Sequence, residues 1–140
     1  MPIAGHEGEL RDALKGADLP IDDLNEDGRS FFRIVRGVDT IGYGGYELHG
    51  NNALLRSIVI APPHRHKGLG RRATDLLLQR AYANGARTGY LLTTTAAPFF
   101  ESLGFIRIDR ATAPEAILRS RQASKLCPAS AALLAKTLQG

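Results

Sequence analysis

A single cysteine, Cys127, is all the thiol in 140 residues. One thiol cannot form a disulfide within the chain, so nothing here asks for an oxidising compartment. Its neighbours, Leu126 and Pro128, include no base that would activate it, and a small buried apolar role is expected. No apolar run is long enough to span a bilayer. Met1–Leu10 carries Glu7 and Glu9 and lacks the apolar centre of a secretion signal, so a cytoplasmic protein with no membrane partner is expected. Internal repeats and low-complexity linkers are absent. So is the string Gly-x-x-x-x-Gly-Lys-Ser/Thr of nucleotide-binding P-loops. The dinucleotide pattern Gly-x-Gly-x-x-Gly fails because position 73 is alanine. His64 and His66 form a His-x-His pair with no third ligand nearby, so no metal is expected; phosphate contact or exposure suits them better.

What is present is an ordinary globular composition, 44% hydrophobic and 23% charged, in a length that suits one domain over residues 1–140. The formal charge is +4, a balance that serves solubility or the attraction of an anion. Part of the excess sits in one run, Arg65, Lys67, Arg71 and Arg72, which favours a local anion site over a broad nucleic-acid face. No aromatic residues interleave with that run, as stacking on bases would need, and no nucleic-acid partner is expected.

Periodicity predicts a short helix over Glu7–Lys15, with Leu10 and Leu14 on one face. A turn and a second short helix are candidates at Asp18–Leu24. Three strands come next: Ser30–Arg36, Thr40–Leu48 and Ala53–Ala61, the last apolar on both faces and so central in its sheet. A helix from Gly70 to Asn84 carries Leu69, Ala73, Leu76, Leu77 and Ala81 on one face, with Gly85 as its stop. Thr88–Thr94 is a strand, Ala96–Leu103 a helix stopped by Gly104, Phe105–Ile108 a strand and Pro114–Gln122 a helix. Ser130–Leu138 has helical composition but a position that suits a last strand beside Phe105–Ile108. The order predicts a mixed α/β sheet: an antiparallel meander, then a strand–helix–strand crossover whose strands pair in parallel.

The segment Ile58-Val59-Ile60-Ala61-Pro62-Pro63-His64-Arg65-His66-Lys67-Gly68-Leu69-Gly70-Arg71 ends a buried strand and begins a helix. Helix starts leave backbone N–H groups unpaired and carry partial positive charge, which suits a phosphate. Gly68 and Gly70 lack a Cβ and let phosphate oxygens approach the main chain. Arg65, Lys67, Arg71 and Arg72 add charge around them.

This string resembles the acetyl-CoA loop of the GNAT N-acetyltransferase superfamily, Arg/Gln-x-x-Gly-x-Gly/Ala, matched by Arg65, Gly68 and Gly70. A second segment resembles the family's Ala-x-x-Leu-Tyr-x-x-x-Gly-Phe: here Ala96-Ala97-Pro98-Phe99-Phe100-Glu101-Ser102-Leu103-Gly104-Phe105. The resemblance implies a mostly antiparallel sheet with helices on both faces and two central parallel strands that splay apart. Acetyl-CoA would be the cosubstrate. Its pyrophosphate would lie on Arg65, His66, Lys67, Gly68, Leu69, Gly70 and Arg71, and its pantetheine along Ile58, Val59 and Ile60. A backbone N–H near Ile58 would face the thioester carbonyl. Small relatives are commonly dimers, which makes a homodimer an expectation.

The family's proton donor is the tyrosine of Leu-Tyr-x-x-x-Gly-Phe, and Phe100 stands in its place with no proton to give. Ser57, Thr93, Thr94, Thr95, Ser102 and Tyr43 are the alternative hydroxyls, each as well suited to bonding the backbone. Glu47 is the first candidate for the base that an amine acceptor needs; it could equally be a solvated strand-end residue. Tyr46 is a candidate substrate contact or a core residue. Arg56, set in an apolar run, needs an anion: an acidic substrate group, or an internal carboxylate such as Glu47. With Ser57 and Thr93 it completes the candidate substrate contacts. Leu54-Leu55-Arg56-Ser57, Leu91–Phe100 and Leu126–Ala131 together resemble the small GNATs associated with arsenic-resistance gene clusters. The activity so implied is acetyl transfer to a small amine, with an amino-acid-like arsenical as the narrower reading. A CoA-binding sensor without turnover is the alternative that Phe100 keeps open.

Overall fold

The computed structural model describes residues 2–3, 8–17, 19, 29–60, 68–119 and 131–139. Its frame is a seven-stranded sheet in the order β1-β2-β3-β4-β5-β7-β6. The strands are β1 (Pro2–Ile3), β2 (Arg29–Arg36), β3 (Asp39–His49), β4 (Asn52–Ile60), β5 (Thr88–Thr93), β6 (Ile106–Ile108) and β7 (Ala132–Thr137). The helices are α1 (Gly8–Gly16), α2 (Leu69–Ala83), α3 (Ala97–Ser102) and α4 (Glu115–Leu118). Among the described residues only β4 and β5 pair in parallel, with α2 between them in sequence, and the other pairings are antiparallel. The apolar β4 is central, as its two-sided hydrophobicity requires. Among the described residues no helix is long and apolar enough to cross a membrane.

The meander β2-β3-β4 turns through Gly37 and Gly50, whose φ values of 62° and 64° are the left-handed backbone of tight hairpins. Alternation along the strands then sorts two faces. Phe31, Tyr43 and Val59 pack with Leu10 and Leu14 of α1, and Leu54, Tyr90 and Leu133 pack with Ile117 of α4. Their sequence neighbours Phe32, Leu55, Leu91 and Leu134 join Leu77, Leu78 and Ala81 of α2 and Phe100 of α3 in the main core. Burying a side chain such as Leu77 contributes about 1.5–3 kcal/mol. On α1, Glu9 accepts hydrogen bonds from Tyr43 Oη at 2.8 Å and from Arg33, fixing the helix to the sheet.

Ser130–Leu138, open in sequence between a helix and a last strand, holds the strand Ala132–Thr137: it fills the slot between β5 and β6 and bonds both, and tertiary pairing overrides the propensity of its Ala and Leu content. The elements depart from the sequence reading in three places. The described part of Pro114–Gln122 holds only one helical turn, Glu115–Leu118. Leu76 lies 41% exposed: the buried stripe of α2 runs through Leu69, Ala73, Thr74, Leu77, Leu78 and Ala81, and Leu76 falls on its edge. The short β1, which the sequence reading lacks, pairs with Phe31 and Phe32. The turn and second helix expected at Asp18–Leu24 lie, apart from Leu19, outside the described residues.

Burial raises the Tyr90 phenol above its ordinary pKa of 10.0. A folded-state pKa above the unfolded one contributes stability that is complete below about pH 10 and is lost as pH climbs through the raised value. Tyr90→Phe is therefore expected to flatten the alkaline fall in stability relative to the parent, measured as urea midpoints from pH 8 to 12.

Candidate active site

The parallel register of β4 with β5 covers only Asn52↔Thr88, Ala53↔Gly89 and Leu54↔Tyr90. Beyond it β4 continues to Ile60 and β5 to Thr93, so the two central strands part at their C-terminal ends. The parting coincides with a bulge. On β3 one residue, Gly44, separates the partners of Val59 and Arg56; on β4 two residues, Ser57 and Ile58, fill the same interval. An extra residue of this kind bends its strand and re-aims the side chains beyond it. It also reverses the faces: Arg56 shares the α1 side with Glu47, Ile58 packs into the α2 core, and Val59 returns to α1. Ser57 adopts φ 60°, the one positive φ outside glycine among the described residues, a conformation that disfavours an L-residue by about 1–2 kcal/mol.

At the end of this cleft α2 begins. Its N-cap is Gly68 at φ 74°, with no side-chain cap and no acidic residue in the first turn. Among the described residues no side chain caps the opening amides, which suits an anionic acceptor. The two glycines act differently. Gly68 supplies left-handed backbone in open space, whereas a Cβ on Gly70 would come within 3.2 Å of the Phe99 ring. Gly70 therefore sets how closely α2 meets α3. A groove of ≈ 580 Å³ runs past this helix start, lined by Arg36, Gly68, Leu69, Arg71, Arg72 and Asp75, among others. Arg71 and Arg72 are exposed. Arg65, His66 and Lys67, expected to continue this site, lie outside the described residues. Another cavity of ≈ 600 Å³, lined by residues of α2, β6 and β7 including Gln79, Ile106 and Lys136, is lined by none of the expected site residues.

Glu47 is enclosed. Its side chain is 1% exposed and that of Arg56 0%. Arg56 Nη1 donates to Glu47 Oε2 at 3.1 Å, and Arg56 Nε donates to Ser57 Oγ at 3.1 Å. His49 Nε2 lies 3.1 Å from Glu47 Oε1, with Arg29 Nη2 at 3.8 Å. Arg56 thus meets the internal carboxylate that its burial requires, and both oxygens of Glu47 are engaged. His49 and Arg29 were not legible as members: Glu47 and His49 are two apart on one strand face, but the pairing of Arg29 with Glu47 appears only in the β2–β3 register.

The hydroxyls are mostly committed as well. Thr93 Oγ1 accepts from the Ala96 N–H at 3.0 Å and ties β5 to α3. Tyr43 donates to Glu9, Ser102 to the Phe99 carbonyl. Tyr46 is 2% exposed, stacked on Phe32, and accepts from Asn84 Nδ2 at 3.0 Å; it is a core residue. Thr94 and Thr95 are exposed at the end of β5. Phe100 is buried and packs edge-on against Phe99 and Phe105. Among the described residues no group of three metal-ligating side chains occurs.

Residues 27–107 match the model of the acetyltransferase (GNAT) domain. Comparison with curated protein sequences gives no match. Among solved structures, N-acetylglutamate synthase from Neisseria gonorrhoeae, complexed with coenzyme A and N-acetyl-glutamate, is similar over 100% of this chain at TM-score 0.76 and 14% identity. The chain spans only 35% of that protein's length. A GNAT-family acetyltransferase from Staphylococcus aureus Mu50 is similar at TM-score 0.65 and 19% identity, over 93% of this chain and 89% of its own. An aminoglycoside 6'-N-acetyltransferase complexed with coenzyme A is similar at TM-score 0.67 and 16% identity, over 94% of this chain and 90% of its own. At these identities the likeness establishes the fold.

Gly70→Ala sets a Cβ against the Phe99 ring, which offsets the helix-propensity gain of alanine over glycine, and it is expected to be more favourable to stability in a Phe99→Ala background than in the parent. A double-mutant cycle of melting temperatures checks this; strict additivity would mean that the two residues do not meet.

Proposed function

The chain belongs to the acetyltransferase (GNAT) domain family, and on that premise we propose that it transfers the acetyl group of acetyl-CoA directly to the amine of a small acceptor. The observation that carries this reading is the uncapped start of α2 at Gly68, flanked by Arg71 and Arg72, at the end of the cleft where β4 and β5 part. The residues present fit the cosubstrate. The first amides of α2 would take the pyrophosphate, with Arg71 and the loop residues Arg65, His66 and Lys67 adding charge. Ile58, Val59 and Ile60 would offer main-chain groups to the pantetheine amides, as a strand edge does to an added strand. The Ile58 N–H, just after the bulge, would stabilise the oxyanion that forms on the thioester carbonyl. Ser57 and Thr93, on the two strands that part, would border the acceptor.

Acetyl transfer forms a bond from the amine nitrogen to the carbonyl carbon and breaks the carbon–sulfur bond. The leaving sulfur takes the electron pair as thiolate. A free thiol's pKa of about 8.5 makes this a fair leaving group without an acid, which suits the buried phenyl ring of Phe100. With Glu47 enclosed by Arg56 and His49, we read the amine as entering neutral, and the proton that its nitrogen sheds as the amide forms as passing through water to the leaving thiolate.

For the acceptor we propose an amino-acid-like amine, and within that class an α-amino acid bearing an arsenic acid group. Support for this narrower reading is the likeness of Leu54–Ser57, Leu91–Phe100 and Leu126–Ala131 to the small GNATs of arsenic-resistance clusters. Phe100 also favours a second reading, a module that binds CoA without turnover.

Thiol release from acetyl-CoA, screened over amino acids, polyamines and organoarsenicals, separates these readings. Acceptor-dependent release with an acetylated product is expected. Tight CoA binding with silence across the panel would support the sensor, and absence of binding would remove both. Replacing Arg71 and Arg72 together by alanine is expected to raise the KM for acetyl-CoA roughly tenfold with kcat nearly unchanged, as loss of uniform binding does.

A further inference from the structure

We infer that Glu47 and Arg56 are a positioning pair that holds Ser57 in left-handed backbone and thereby keeps the bulge of β4 in shape. The catalytic consequence, an Ile58 N–H aimed at the thioester carbonyl, rests on the acetyl-transfer reading. The chain of contacts is short. Ser57 sits at φ 60°, where a serine stays only if its surroundings hold it. Its Oγ accepts from Arg56 Nε at 3.1 Å. The same guanidinium donates through Nη1 to Glu47 Oε2 at 3.1 Å. It is also backed by the Phe31 ring, 5.7 Å from centroid to Cζ. Gly45, opposite Arg56, is what admits that ring: a Cβ there would lie 2.6 Å from Phe31.

Charge favours the arrangement. The guanidinium is fully buried, and neutralising the Glu47 carboxylate that it meets would weaken its seat and with it the bond to Ser57. Glu47 in turn is fixed by His49 at 3.1 Å and Arg29 at 3.8 Å. With both oxygens engaged and 1% exposure, it acts through Arg56 and not on a substrate.

The test uses the full chain, with CoA and acetyl-CoA as probes. Glu47→Gln keeps the shape and removes the charge. It is expected to move the Ser57 and Ile58 amide and Cα resonances in NMR spectra away from their left-handed and bulged values. It should also reduce the preference for acetyl-CoA over CoA in calorimetry about tenfold. Ser57→Gly is the decisive partner, since glycine adopts positive φ without support. The double variant E47Q/S57G is expected to recover at least half of the lost preference. Should E47Q fail to fold, Arg56→Lys, which keeps the charge but has no Nε fork for Ser57, gives the same readings. Unmoved Ser57 resonances, or no recovery by Ser57→Gly, would overturn the pair's role. Parent protein that binds neither probe would instead remove the acetyl-transfer reading, while the resonances still decide the clamp.

Discussion

One inserted residue in β4 governs the geometry on which everything else in the site depends. Strand alternation would otherwise place Arg56 and Ile58 on one face. The bulge sends Ile58 into the α2 core and returns Val59 to α1. It begins three residues beyond Leu54↔Tyr90, where the parallel pairing ends. A sheet that stayed paired there would have no cleft, and its amides would be consumed by the ladder. The parted strands leave main chain for a ligand to meet, and α2 brings a second set of amides to the same end.

Around this cleft the fold separates two kinds of charge. The cations at the start of α2 stand in water, where they attract an anion at small desolvation penalty. Those around Glu47 are withdrawn from water, where a charge is tolerated only with its partner in place. Replacing one member of the buried set removes a charge that the others meet, so its residues are coupled to one another. The solvent-side arginines face no such constraint.

Much of the frame was legible from the residues because it rests on local rules. Gly85 and Gly104 stop their helices at φ 104° and 98°, and the meander arises from three apolar runs cut by turn residues. The helix start at Gly68 was legible for the same reason. What escaped was non-local. The composition of Ala132–Thr137 reads as helix and its position as a strand beside β6; only its pairing with both β5 and β6 decides between them. Arg56 was visible as a group needing an anion, with Glu47 among the candidates, and the diagonal across β3–β4 brings those two together. The addition of His49 and Arg29 depends on the strand face of β3 and a register across β2–β3. The bulge has no composition signal, since serine at φ 60° is chosen by its surroundings and not by its propensity.

The last strand in the chain order lies inside the sheet. β7 bonds β5 on one side and β6 on the other, so β5 and β6, which precede it, wait for it with open edges. During synthesis the meander and α2 can assemble early, but the half of the sheet beyond β5 closes only after residues 132–137 have left the ribosome. Until then β5 presents a bare hydrogen-bonding edge lined by Tyr90, Leu91 and Leu92, the kind of surface on which nascent chains cross-pair. Pairings of long sequence separation carry a loop-closure cost before their contacts repay it, and those of β7 with β5 are of this kind. A chain cut before Ala132 would keep the start of α2 in its sequence yet lack the strand that completes the sheet.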